Sequence, residues 1–331
     1  MLADYALPIL VVLLIVITAS GLPFSISMIV ASIFYLLVSG RDVGLAAENV
    51  LNGVFGNFVA LAVPLFIFAA NIMESGKITE RLLKFSLAMV GRLPGGLAQV
   101  NVVTSLIFSG MSGSAISDAA GVGKVVTGMM IDKNRYPRGF AGALTAATAV
   151  VGPIFPPSIP LVFYALISST SVGVLFLAGV VPALIVVLAL CVYVQIVAIR
   201  RKFPVEDTIP WGLYPVIILR AVPPLMMPVI LLGGIYSGAF TPTEAAAVSA
   251  FYALVLAVIA YRSMGFADFY KVVRETVKTT AVVTLVLGGA FIFNYAIAIE
   301  RVPQMLYEFL VGFDMNQWTF LLFVNLLYLL L

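Results

Sequence analysis

The 331-residue sequence has no histidine, one cysteine and two tryptophans, and only 10% of its residues are charged. Soluble domains carry about a quarter of their residues as charges, so water cannot be the main solvent of this chain. The lone thiol, Cys191, has no intrachain partner, which excludes a disulfide framework and a cysteine-based metal site. Proton relays in membranes are usually chains of titratable groups. Histidine is absent and Asp118 is the only acid placed in a membrane element away from its ends, so proton pumping is disfavoured. No nucleophile–base pair supports an enzyme, no cofactor is expected, and nothing supports nucleic-acid binding. A basic leader is also missing: the first apolar run, Leu7 to Ile17, follows only Asp4. It is therefore expected to be a spanning helix and not a cleaved signal, with the mature chain starting near Met1.

What is present is hydrophobic, at 62% of residues. About eight or nine apolar stretches approach the roughly twenty residues needed to cross a bilayer. Lysine and arginine collect in four connections: Lys77, Arg81, Lys84 and Arg92; Lys133, Arg135 and Arg138; Arg200, Arg201 and Lys202; Arg262, Lys271, Arg274 and Lys278. The positive-inside rule makes these cytoplasmic, while the opposite connections carry only Arg41 and Arg301. Spans are expected near residues 6–20, 23–39, 54–73, 139–168, 174–198, 213–236, 243–261 and 279–299, with another starting at Trp318 and a periplasmic N-terminus.

Residues 98–131 do not fit as a span, because basic segments flank them on both sides. They must enter and return as a re-entrant hairpin. Its middle, with Ser109, Ser112, Gly113, Ser114, Ser117 and Asp118, is poor helix and rich in hydroxyls. Such backbone survives at membrane depth where protein buries it or water reaches it. It reads either as a polar tip in a cavity or as close packing of small residues. Asp118 and Lys124 could compensate each other or line a wet path. The next span holds Thr145, Thr148, Gly152, Pro153, Pro156, Pro157, Ser158 and Pro160, with four prolines in nine residues. Each proline removes a donor and clashes with the preceding turn. The expectation is a helix broken in two, as in ion sites of secondary transporters, with a simple kink as the alternative.

Phe66 to Phe68 followed by Ile78 to Phe85 resembles Phe291 to Phe293 followed by Val302 to Phe309, which suggests inverted repeats. The second hairpin and second broken helix would then lie beyond Leu331, so the chain is expected to be truncated. The expected organisation is scaffold helices at 1–53, a first repeat at 54–200, and the start of a second at 201–331. Amphipathic segments near 43–53, 78–92 and 266–278 read as interfacial arms. Thr241, Pro242 and Glu244 have the form of a helix cap, and Arg220 can snorkel.

Three segments, SGMSGSAISDAAG from Ser109 to Gly121, GPIFPPSIP from Gly152 to Pro160 and TPTEAAA from Thr241 to Ala247, together resemble the large membrane subunit of tripartite ATP-independent periplasmic (TRAP) transporters. The resemblance covers essentially the whole chain. It implies an all-α polytopic protein of the bacterial or archaeal inner membrane, elevator-type and Na⁺-driven, importing an organic acid. It also implies a periplasmic substrate-binding protein and a small four-helix membrane subunit as partners. Sodium needs oxygen ligands without titration, and the expected set lies among Ser112, Ser114, Gly152 and Pro153. A single-component Na⁺/dicarboxylate symporter is the alternative function; a channel or respiratory pump is disfavoured.

Overall fold

Proline, glycine and capping side chains decide where the helices of this chain stop. A computed structural model describes residues 5–330 except 57, 75, 208, 313 and 314, and the side chains in that range except those of 76, 77, 133 and 330. Lys77 and Lys133 of the basic clusters, and Met1 and Asp4, thus lie outside the described side chains. In chain order the helices are α1 (Ala6–Ala19), α2 (Phe24–Val38), α3 (Gly44–Phe55), α4 (Ala62–Met73), α5 (Gly76–Val90), α6 (Gly96–Ser112), α7 (Ala115–Asp118), α8 (Lys124–Ile131), α9 (Arg138–Ala149), α10 (Ile159–Ser168), α11 (Val172–Arg201), α12 (Tyr214–Tyr236), α13 (Pro242–Val255), α14 (Phe266–Ile299), α15 (Val302–Val311) and α16 (Gln317–Leu330). Among the described residues all regular structure is helical, and the stretches Val172–Arg201, Trp211–Tyr236, Pro242–Ala260 and Phe266–Ile299 are long and apolar enough to cross a membrane. The fold is that of an all-α polytopic membrane protein.

Two compact units emerge, Met1–Gly56 with Val283–Leu331, and Asn57–Val282. In the first, α1 and α2 pack with the end of α14 around Leu10, Tyr35 and Ile292, and the Tyr35 hydroxyl donates to Glu300 at 2.6 Å. Helices α1 and α2 have 14 and 15 residues, about 21–23 Å at 1.5 Å per residue. Each falls short of the ~30 Å hydrocarbon core, because the chain turns at Gly21 and Pro23.

In the second unit, α4 lies against α13. Ala69 and Ala70 on one side and Ala245, Ala246, Ala250 and Ala253 on the other are all buried, and small side chains let helix axes approach closely. Thr241 and Glu244 cap α13 reciprocally: the Thr241 N–H donates to Glu244 at 2.8 Å, and the Glu244 N–H to the Thr241 hydroxyl at 3.3 Å. This is a structural role. Residues 266–278 do not form a separate arm; they continue unbroken into α14, which runs 34 residues. The lysine-rich sequence there suggests a boundary, but it contains neither proline nor glycine to end a helix.

The basic segments of this unit converge. Arg92 donates to the Ile209 carbonyl at 2.8 Å, Arg135 pairs with Glu206, and the Glu206 N–H donates to the Gly91 carbonyl at 3.0 Å. Arg81 lies 3.7 Å from the centre of the Tyr261 ring, which ties in the fourth segment.

Candidate functional site

Helix α6 ends at Ser112 because Gly113 adopts a left-handed φ of +61°, a conformation that only glycine enters freely. The chain then reverses, and Ser114 caps the return by accepting from the Ser117 N–H at 3.4 Å. After Asp118 the helix widens into a π-turn over Ala119–Gly123 before α8. Residues 96–131 are therefore a helical hairpin with Gly113 at its tip.

The partner of this tip is the break between α9 and α10. Helix α9 stops at Ala149, and α10 starts only at Ile159, capped by Ser158, whose hydroxyl donates to the Pro153 carbonyl at 2.5 Å and accepts from the Leu161 N–H at 3.3 Å. Tip and break touch through backbone: the Ile159 N–H donates to the Gly113 carbonyl at 3.4 Å. A Cβ built on Gly113 would lie 2.2 Å from the Pro157 carbonyl oxygen. On the other side of the break, a Cβ on Gly152 would meet Asp118 Oδ2 at 3.0 Å and the Ser114 carbonyl carbon at 3.1 Å. A Cβ on Gly179 of α11 would meet the Ile154 carbonyl oxygen at 2.4 Å, so that loop rests directly on α11.

Asp118 is the centre of the polar cluster and is 1% exposed. Ser112 donates to its Oδ1 at 2.7 Å, and the Ser109 hydroxyl lies 3.0 Å from Oδ2. The Ser109 hydroxyl is also 2.7 Å from the Ser105 carbonyl, so one proton serves two acceptors. Oδ2 is thus the less satisfied oxygen, and it is the one that faces Gly152. A buried, under-satisfied carboxylate oxygen beside hydroxyls and irregular backbone suits a hard monovalent cation, which takes oxygen ligands.

The expected residues fall into two groups. Ser109, Ser112, Gly113, Ser114, Asp118, Gly152, Pro157 and Ser158 meet at the tip and break. Thr145 and Thr148 lie in the last turn and a half of α9, before the break: Thr145 accepts from Asn101 Nδ2 at 2.7 Å and shares a 2.6 Å hydrogen bond with Thr127, while Thr148 donates to the Thr145 carbonyl at 3.1 Å. Their hydroxyls do not reach the Asp118 carboxylate. The Pro153 carbonyl already accepts from Ser158, and Pro156 is buried within the break. Ser117 turns from Asp118 and donates to Glu74.

Glu74 and Asn101 are the residues that sequence reasoning missed. Glu74 caps the end of α4, hydrogen-bonded to Ser117 and packed beside Gly121. Asp118 is therefore not the only acid inside the polar hairpin's surroundings. Asn101 is fully buried, and its Oδ1 has no hydrogen-bond partner among the described residues. Two amides, Gln99 and Asn101, in the otherwise apolar run from Leu97 to Val103 were the signal. Lys124 is exposed, and among the described residues no ion pair joins it to Asp118, whose partners are serines instead.

Residues 11–331 match the model of the family described as "Tripartite ATP-independent periplasmic transporter, DctM component". The chain is 42% identical over 313 residues, 94% of its length and 73% of the relative's, to the sialic acid TRAP transporter large permease protein SiaM of Vibrio cholerae. It is 35% identical to the C4-dicarboxylate TRAP transporter large permease protein DctM of the same species, covering 97% and 76% of the two chains. It is also 35% identical to the ectoine/5-hydroxyectoine TRAP transporter large permease protein UehC of Ruegeria pomeroyi, covering 88% and 69%. A polytopic helical fold, a hairpin meeting a broken helix, and these matches lead to one conclusion: the chain belongs to the family of large permease subunits of tripartite ATP-independent periplasmic transporters.

Proposed function

We propose that this subunit imports an organic acid by sodium symport, with the ion held where the hairpin tip meets the break. The chain is a multi-pass inner-membrane protein and a secondary-transporter permease, not an enzyme. The observation that carries the sodium reading is the Asp118 carboxylate, buried with one oxygen toward Gly152 and short of hydrogen bonds. Ser112, Ser114 and the carbonyls around Gly152 and Pro153 would supply the remaining oxygens. The relatives' names specify sialic acid, C4-dicarboxylates and ectoine, which all bear carboxylates, and this supports a carboxylate cargo here. A tripartite system further supports a small membrane subunit and a periplasmic binding protein as partners. Gathering of the basic segments at one end supports a cytoplasmic placement for that end, with the hairpin returning to the side it left.

The test is uptake into proteoliposomes of a panel of carboxylates, each with its binding protein, under an inward sodium gradient or a proton gradient alone. Uptake should require sodium. Asp118→Asn should raise the half-saturating sodium concentration about tenfold, equivalent to about 1.4 kcal/mol. Equal uptake on the proton gradient without sodium would refute the coupling, and unchanged sodium dependence in the variant would refute the site.

A further inference from the structure

The second unit contains a cavity outside the tip and break. It has a volume of about 420 Å³ and lies between α5 and α12. Arg81 and Lys84 line one wall with Glu80, and Leu213, Val216 and Arg220 line the other. Three cations thus face one carboxylate beside an aliphatic surface. Trp211 and Tyr214, stacked 5.4 Å apart at the start of α12, are the residue types that settle at the membrane–water boundary. Arg220 lies six residues further on, about 9 Å along the axis, which is within reach of the headgroup layer by snorkelling. Arg81 is fixed against the Tyr261 ring, 3.7 Å from its centre, and Lys84 is within 2.6 Å of Glu80. Leu213 and Val216 are half-exposed, and Leu219, one turn beyond, is 73% exposed. The apolar wall is therefore continuous with a lipid-facing stripe.

We propose that this cavity binds an anionic phospholipid, with the phosphate between Arg81, Lys84 and Arg220 and an acyl chain along Leu213 and Val216. A basic pocket between membrane helices at the headgroup level has the chemistry for such a lipid. A free phosphate would satisfy the cations but leave the aliphatic wall without a role. Bound there, the lipid bridges the amphipathic α5 to the spanning α12.

The test is native mass spectrometry of the delipidated full-length protein with its copurifying subunits, titrated with phosphatidylglycerol or phosphatidylcholine of matched chains. Phosphatidylglycerol should bind at least ~10-fold more tightly, since each cation near an anionic lipid contributes on the order of fivefold. Lys84→Gln with Arg220→Gln should bring the preference below about twofold. Arg200→Gln with Arg201→Gln, which removes two cations outside the cavity, should leave it unchanged. Val216→Trp, which fills the aliphatic wall without touching charge, should weaken both lipids and so separates the site from misfolding of the charge variants. Four results would overturn the proposal: no preference in the wild type, an equal loss in the Arg200/Arg201 control, displacement of phosphatidylglycerol by millimolar inorganic phosphate, or a preference seen only after the other subunits are removed.

Discussion

Arg135 holds Glu206 with both terminal guanidinium nitrogens, at 2.5 and 3.2 Å. Because the Glu206 N–H also donates to the Gly91 carbonyl at 3.0 Å, one residue ties together the two feet of the hairpin. Paired, bidentate geometry strengthens such a contact, while its partial exposure, 30% and 18% for the two side chains, limits the gain. A double-mutant cycle with Arg135→Ala and Glu206→Ala, followed by thermal unfolding in detergent, should give a coupling of about 1–2 kcal/mol. Additive single effects would mean that the pair contributes nothing.

Topology is checked by cysteine labelling in a Cys191→Ser background. Arg92→Cys and Arg138→Cys both replace exposed residues flanking the hairpin, and both should react with an impermeant maleimide only from the cytoplasmic face. Labelling from opposite faces would make the hairpin an odd number of spans.

Two glycines test the contact between tip and break. Gly113→Ala must place a methyl 2.2 Å from the Pro157 carbonyl oxygen at a φ of +61°, and neither demand can be met without moving the tip. Gly152→Ala meets milder contacts, Asp118 Oδ2 at 3.0 Å and the backbone of Ser114 and Ala115 at 3.1 and 3.2 Å. Transport should fall on the order of 10²-fold for Gly113→Ala, as for other misplacements of about 1 Å, and less for Gly152→Ala. Both should insert and elute as the wild type. Near-normal uptake by Gly113→Ala would separate the tip from the transport site.

The capping box supplies the contrast. Thr241→Ala should lower stability by about 1 kcal/mol, measured by thermal unfolding, with the sodium dependence of uptake unchanged. A shift in that dependence would give Thr241 or Glu244 a role beyond starting α13.

The interruption at 150–158 was legible in the sequence because proline acts locally: Gly152 with Pro153, Pro156 and Pro157 breaks the helix, and Pro160 falls in the first turn of α10, where proline is tolerated. The tip was legible in place but not in form: Ser109 to Ser112 and Ala115 to Asp118 stay helical although the run of serines and glycines suggested poor helix, and only Gly113 and Ser114 leave the helix. Glu74 was not legible. It borders the basic segment with Lys77 and Arg81, so its charge looked interfacial, and only tertiary packing brings it to Ser117. The bounds of α1 and α2 were legible to within a residue, since Gly21 and Pro23 mark the turn between the expected 6–20 and 23–39, and the helices found are Ala6–Ala19 and Phe24–Val38. In α14 the reverse holds, where charges at Arg274 and Lys278 imply an edge that the backbone does not register.

The seat of the Ile154 carbonyl on Gly179 has a mechanical consequence. With no side chain between them, the loop cannot slide along α11 without opening a void or breaking contact with the backbone, so any displacement of the loop takes α11 with it. That helix is 30 residues, about 45 Å of rod, and Val174, Leu177, Val181, Ile185 and Leu188 project from it as an exposed aliphatic comb. Were the site to move across the membrane, as an elevator mechanism requires, this comb would have to plough acyl chains, and turnover should then slow as the bilayer stiffens.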